Sequence, residues 1–116
     1  MARILVCEPN SEVRALLAHV VARLGHEPCF VGNGAGDALP DDADVLLVEP
    51  ADRRALAAAQ ALRQRDDELP IVCTSIYPAT RGAHGLRPVA YLVKPFPLGE
   101  LERVLVEAVG RVSAPA

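Results

Sequence analysis

Apolar positions along the chain follow two rhythms. Short continuous runs, RILVC at 3–7, PCFV at 28–31, DVLLV at 44–48, IVCTS at 71–75 and AYLV at 90–93, have the length of strands. Between them, apolar residues recur at helical spacing. Val13, Leu16, Leu17, Val20, Val21 and Leu24 mark one face of a first helix. Asn10 or Ser11 can cap its start, and Gly25 can end it in a left-handed turn. An Ala- and Leu-rich stretch near 51–66 predicts a second long helix. Leu98, Leu101, Val104, Leu105, Ala108 and Val112 predict a last one. Residues 113–116 read as a flexible tail.

The third run, DVLLV, is continuous rather than alternating, as expected of a strand covered on both faces. Strands alternating with helices imply right-handed crossovers and a parallel sheet. The fold class is therefore α/β, a flavodoxin-like doubly wound five-stranded parallel sheet of order 2-1-3-4-5 with helices on both faces. Two crossovers are stunted. GNGAGDALPDDA, between the second and third strands, leaves room for about one turn before Pro40. IYPATRGAHGLRP, between the fourth and fifth, carries Pro78, Gly82, Gly85 and Pro88, breakers costing roughly 1 kcal/mol per Gly and 3 per Pro inside a helix. The second and fourth helices are thus expected to be short or irregular. Sites in such folds lie beyond the carboxyl ends of the strands. There the first, third, fourth and fifth strands end on Glu8, Glu49, Ser75 and Lys94.

Length and charge narrow the possibilities. The 116 residues suit a single domain with its own core. No run is long enough for a membrane span, and the start lacks a secretory signal, so a cytoplasmic location is expected. The net charge of −3 is mild. The densest basic group, Arg53, Arg54, Arg63 and Arg65, is interspersed with Asp52, Asp66 and Asp67 and reads as a solvated helix face. Neither a membrane nor a nucleic acid is an expected partner. Cys7, Cys29 and Cys73 are far apart, without ligand spacing, and read as buried small hydrophobes. His19, His26 and His84 are isolated and receive no role.

Taken together, ILVCEPN, VRALL, DVLLVEP, PIVCTS and AYLVKPF resemble the receiver domain of two-component response regulators, over essentially the whole chain. The resemblance implies a pocket in which an acidic pair ends the first strand and holds magnesium. An aspartate ending the third accepts a phosphoryl group. A Ser or Thr ends the fourth strand, and the fifth carries a switch aromatic followed by Lys-Pro with a cis bond. Glu8 falls at the first acidic position and Pro9 at the second. Glu49 replaces the aspartate, Ser75 matches the hydroxyl, Tyr91 the aromatic, and Lys94-Pro95 the last motif.

Two departures bear on the chemistry. Phosphoryl transfer to a carboxylate needs in-line geometry and a cation to neutralise the spreading charge. Pro9 supplies no side-chain oxygen, which leaves a magnesium ion only Glu8, Glu49 and the Ala51 carbonyl as weak ligands. Glu49 is also one methylene longer than Asp, and about 1 Å of misplacement can cost about 100-fold in rate. The expected function is an atypical, phosphorylation-independent receiver, not an enzyme and without a cofactor. It would signal through a protein partner or a second copy of itself, with Glu49 paired to Lys94. The alternative is a working magnesium-dependent receiver phosphorylated by a histidine kinase. A third reading, a nucleotide-binding enzyme built on GNGAG at 32–36, is disfavoured, because Asp37 stands where the last glycine of a G-x-G-x-x-G pattern would fall. Plain structural readings also stand beside these. Glu49 could be a solvated strand-end charge, Ser75 a backbone-bonding strand terminus, and Tyr91 an ordinary half-buried aromatic.

Overall fold

A computed structural model describes residues 1–31 and 42–113. The elements run β1 (Arg3–Cys7), α1 (Ser11–Arg23), β2 (Glu27–Phe30), β3 (Val45–Val48), α2 (Arg53–Arg65), β4 (Ile71–Ser75), α3 (Arg81–Gly85), β5 (Ala90–Val93) and α4 (Leu98–Ser113). The strands form one parallel sheet in the order β2-β1-β3-β4-β5. The doubly wound architecture read from the sequence is the one observed.

The central strand β3 is apolar and buried throughout because its two faces serve two different cores. Ile4 and Val6 of β1, with Val45 and Leu47 of β3, pack against Leu17, Val20 and Val21 of α1 and Leu101, Val104, Leu105 and Ala108 of α4. The alternate residues Leu5, Cys7, Leu46, Val48 and Cys73 face Ala55, Ala59 and Leu62 of α2 and Ala83 and Leu86 around α3. Successive strand side chains point to opposite faces, so both halves of the inner strands find cover, while the edge strands β2 and β5 leave Phe30 and Val93 exposed.

The helix ends follow from local chemistry. Asn10 caps α1, its side chain accepting from the amides of Glu12 and Val13. Gly25 turns the chain out at φ +86°. Asp52 caps α2 through the Ala55 amide, and Thr80 caps α3 through that of Ala83. The crossover expected to be cramped between β4 and β5 contains a helix of only five residues. The short helix expected before Pro40, the GNGAG stretch, and residues 114–116 of the expected tail lie outside the described residues.

Several expectations need correction. β2 begins at Glu27 and ends before Val31, while β3 begins after Asp44, whose carboxylate accepts the Arg3 amide at 2.8 Å. Leu16, Leu98 and Val112 continue the helical spacing but are exposed, because they lie at the margins of the faces that meet the sheet. Cys29 is only partly buried, on an edge strand. Ser113 ends α4. Arg63, read as part of a solvated face, is buried: the chain turns back over the end of α2 and surrounds its guanidinium with backbone carbonyls.

Candidate functional site

The carboxyl ends of β1, β3, β4 and β5 deliver Glu8, Glu49, Ser75 and Lys94 to one place. Ladder hydrogen bonds fix their heights: the Glu49 amide donates to Cys7 O at 3.0 Å and the Lys94 amide to Ser75 O at 2.7 Å. Glu8 is further held by the Asn10 amide, which donates to its Oε2 at 3.2 Å. Arg14 Nη1 donates to the Glu8 carbonyl at 3.1 Å.

Lys94 Nζ lies 2.5 Å from Glu8 Oε1 and 3.6 Å from Glu49 Oε2. The side chains of Glu8, Glu49 and Lys94 are 2%, 9% and 16% exposed, so the ions meet nearly out of water. This revises the expected pairing. Lys94 stands between both acids, but its hydrogen-bonded partner is Glu8. Glu49 receives the Ser75 hydroxyl instead, which donates to Oε1 at 3.0 Å. At 3.6 Å the Lys94–Glu49 contact is Coulombic, and Glu49 Oε2 is buried without a hydrogen-bond donor.

Burial raises the Glu49 carboxyl above its ordinary range; the Lys94 ammonium and the Ser75 hydroxyl oppose the rise, and the Glu8 charge adds to it. Burial also pushes the Cys73 thiol up to about 12, with the Glu49 charge adding to it, and burial does the same for Cys7, again to about 12. Both cysteines therefore behave as neutral, inert thiols.

Ser75 reaches in two directions. Its Oγ accepts the Tyr77 amide at 3.2 Å while donating to Glu49. The Tyr91 hydroxyl donates to Tyr77 O at 2.8 Å. A continuous hydrogen-bonded path thus links Glu49, through Ser75 and the Tyr77 backbone, to Tyr91, whose ring is half-buried against the α2-side core. The Lys94-Pro95 peptide is cis. Pro9 is exposed beside Glu8, and Ala51 is exposed in the turn before the Asp52 cap.

These residues do not fit a magnesium ion, which needs several oxygens in octahedral array at about 2.0–2.1 Å. The ammonium of Lys94 already lies between the two carboxylates, and Pro9 adds no oxygen. Among the described residues no cluster of three His, Cys, Asp or Glu could hold a metal. A cavity of about 290 Å³ opens on the far side of Glu8, lined by Pro9, Arg14, Val31, Asp52 and Arg54 among others. Of the four clustered residues only Glu8 reaches it, so the cavity is beside the charge cluster and not at it.

Sequence reasoning missed Arg63. Its Nε donates to Leu86 O at 2.8 Å, and its Nη1 to Asp66 O and Asp67 O at 3.2 and 3.0 Å. Its place in a charged run hid it, since nothing local distinguishes it from Arg65. Among the described residues no helix is long and apolar enough to cross a membrane.

No protein-family model matches the chain. It is 31% identical to the DNA-binding transcriptional regulator NtrC of a Bradyrhizobium species, over 97% of this chain and 26% of that protein. The chain thus spans about a quarter of that relative's length. Among solved structures it is similar to a two-component response regulator from Clostridium difficile, with a TM-score of 0.80, 16% identity, and coverage of 98% of this chain and all of that one. A response regulator receiver domain protein from Clostridium thermocellum superposes at 0.79 with 14% identity, covering 97% and 98% of the two chains. NtrX from Brucella abortus, in complex with ADP, gives 0.78 with 22% identity, over 97% of this chain and 27% of that one. The fold is that of a response regulator receiver domain.

Proposed function

We propose that this receiver-fold chain serves two-component signalling as an atypical receiver that works by protein–protein contact and accepts no phosphoryl group. The observation that carries the proposal is the place of Lys94 Nζ, 2.5 Å from Glu8 and 3.6 Å from Glu49. An internal ammonium neutralises the acids where phosphoryl transfer would require a metal ion and an open acceptor. Glu49 supplies one negative charge and two acceptor oxygens, against nearly two charges and three oxygens on a phosphoryl group. Ser75 already donates to it, so the carboxylate acts as a partial, permanent stand-in for the phosphorylated state. The partner is a signalling protein, a second copy of the chain included, in the cytoplasm. The DNA binding named for the NtrC relative is not assigned to these residues.

The competing reading is a magnesium-dependent receiver phosphorylated by a histidine kinase on Glu49. One observation favours it: Glu49 Oε2 is buried with no hydrogen-bond donor. That reading requires Lys94 to give up its short contact with Glu8. Incubation with acetyl phosphate and magnesium, followed by intact-mass measurement, separates the two. The expected result is an unchanged mass and, with beryllofluoride, unchanged amide spectra. A phospho-adduct forming within minutes would overturn the proposal.

A further inference from the structure

We propose that Arg63 is a latch that holds α3 in one position against the end of α2, whatever the charge state of the Glu8–Glu49–Lys94 cluster. The proposal goes beyond the signalling reading and does not rest on it.

A helix of five residues cannot hold itself together in water. Its crossover also contains Pro78, Gly82, Gly85 and Pro88, none of which favours a longer helix. Thr80 secures its start, and Ala83 and Leu86 are buried against the sheet. The far end is secured by a different device. Arg63, in the last turn of α2, is 9% exposed. Its guanidinium spans two helix ends. Nε donates to the carbonyl of Leu86, the C-cap of α3, at 2.8 Å, and Nη2 to that of Arg87 at 3.5 Å. Nη1 donates to the carbonyls of Asp66 and Asp67, just past α2, at 3.2 and 3.0 Å.

Helix C-termini present unsatisfied carbonyls and partial negative charge. One cation between two such ends therefore answers both at once. The five donors of the planar fork suit four carbonyls in a way that a compact ammonium cannot. The chain around the latch is shaped to fit it. Arg87 takes a positive φ of 53°, which turns its carbonyl and that of Leu86 within reach of one guanidinium. Arg87 also pairs with the Asp67 carboxylate, tying the same two segments a second time at the surface.

The opposite end of this crossover is tied to the charge cluster through Ser75 and the Tyr77 amide. The two attachments share no residue. A change of charge at Glu49 can therefore alter the Ile76–Tyr77 end without releasing α3. Ile76 and Tyr77 are exposed, so the surface beside α3 has one end that can respond and one end that is fixed.

Hydrogen exchange read by mass spectrometry on the full chain tests this. In R63M, which keeps the apolar stem and removes the fork, amides of 81–89 should exchange about ten-fold faster or more, with those of β1 and β3 unchanged. R63K keeps the charge without the fork and should fall on the side of R63M. E49Q should leave exchange in 81–89 at the wild-type rate. Acceleration spread evenly over the sheet in R63M would make Arg63 a general stability residue and overturn the latch. So would wild-type exchange in R63M, or acceleration of 81–89 in E49Q to match R63M. If R63M does not fold, R63K decides alone: faster exchange confined to 81–89 supports the latch, and the wild-type rate refutes it.

Discussion

At the residue scale the cluster turns on a difference of about one ångström. Lys94 is within hydrogen-bond reach of Glu8 and beyond it for Glu49. Removing one partner of a buried ion pair costs about 3–5 kcal/mol, because it strands the other charge out of water. Lys94→Met should therefore lower unfolding stability at neutral pH by about 3 kcal/mol, with the loss shrinking in acid as the carboxyls protonate. Urea titrations across the pH range check this, and equal stability at neutral pH would remove Lys94 as the compensating charge. Glu49→Gln has the opposite sense. Burial raises the Glu49 carboxyl in the folded state, so its contribution is fully present below the unfolded value of about 4.3 and is lost as pH rises through the folded value. Glu49→Gln should consequently gain on the wild type as pH rises through that window, with a flatter stability profile. A gap that stays constant with pH would contradict the raised carboxyl. Glu49 and Lys94 were nameable from the sequence because each ends a strand with polar chemistry. Which acid Lys94 holds was not nameable, since that depends on how four side chains share a space one ammonium wide.

At the scale of elements, the start and end of α1 were legible because capping is local. The Asn10 side chain accepts two amides at 3.0 and 3.1 Å, so Asn10→Ala should cost about 1 kcal/mol, read as a lowered midpoint in a denaturant melt. An unchanged midpoint would mean that water serves those amides equally well. The amide of Asn10 also holds Glu8 Oε2, so the backbone at this cap reaches the charge cluster. The brevity of α3 was legible for a similar reason, since its breakers lie in the sequence itself. How a single helical turn is held there was not legible. Arg63 and Leu86 are 23 positions apart, and the bond between them exists only once α2 and the β4–β5 crossover are packed together.

At the scale of the molecule, doubly wound topology places the ends of β1, β3, β4 and β5 side by side, and the cluster is a property of that arrangement. Its lack of fit to a metal has a direct test. Pro9→Asp with Glu49→Asp together adds one oxygen and shortens the acceptor by a methylene. This double variant should bind magnesium in a calorimetric titration where the wild type gives no heat. A silent double variant would show that the position of Lys94, rather than the missing oxygen, closes the site. The sequence by itself determined the order of elements, the parallel sheet, and which polar residues end each strand, because hydrophobic period, caps and breakers act over a few neighbours. Only the tertiary structure decided that Lys94 binds Glu8 more closely than Glu49, that Ser75 joins Glu49 to the Tyr77 backbone, and that Arg63 is buried between two helix ends. The bonds of Arg63 to Leu86, Ser75 to Glu49 and Lys94 to Glu8 join residues 23, 26 and 86 positions apart, and their geometry is fixed by how the layers pack, which no local pattern encodes.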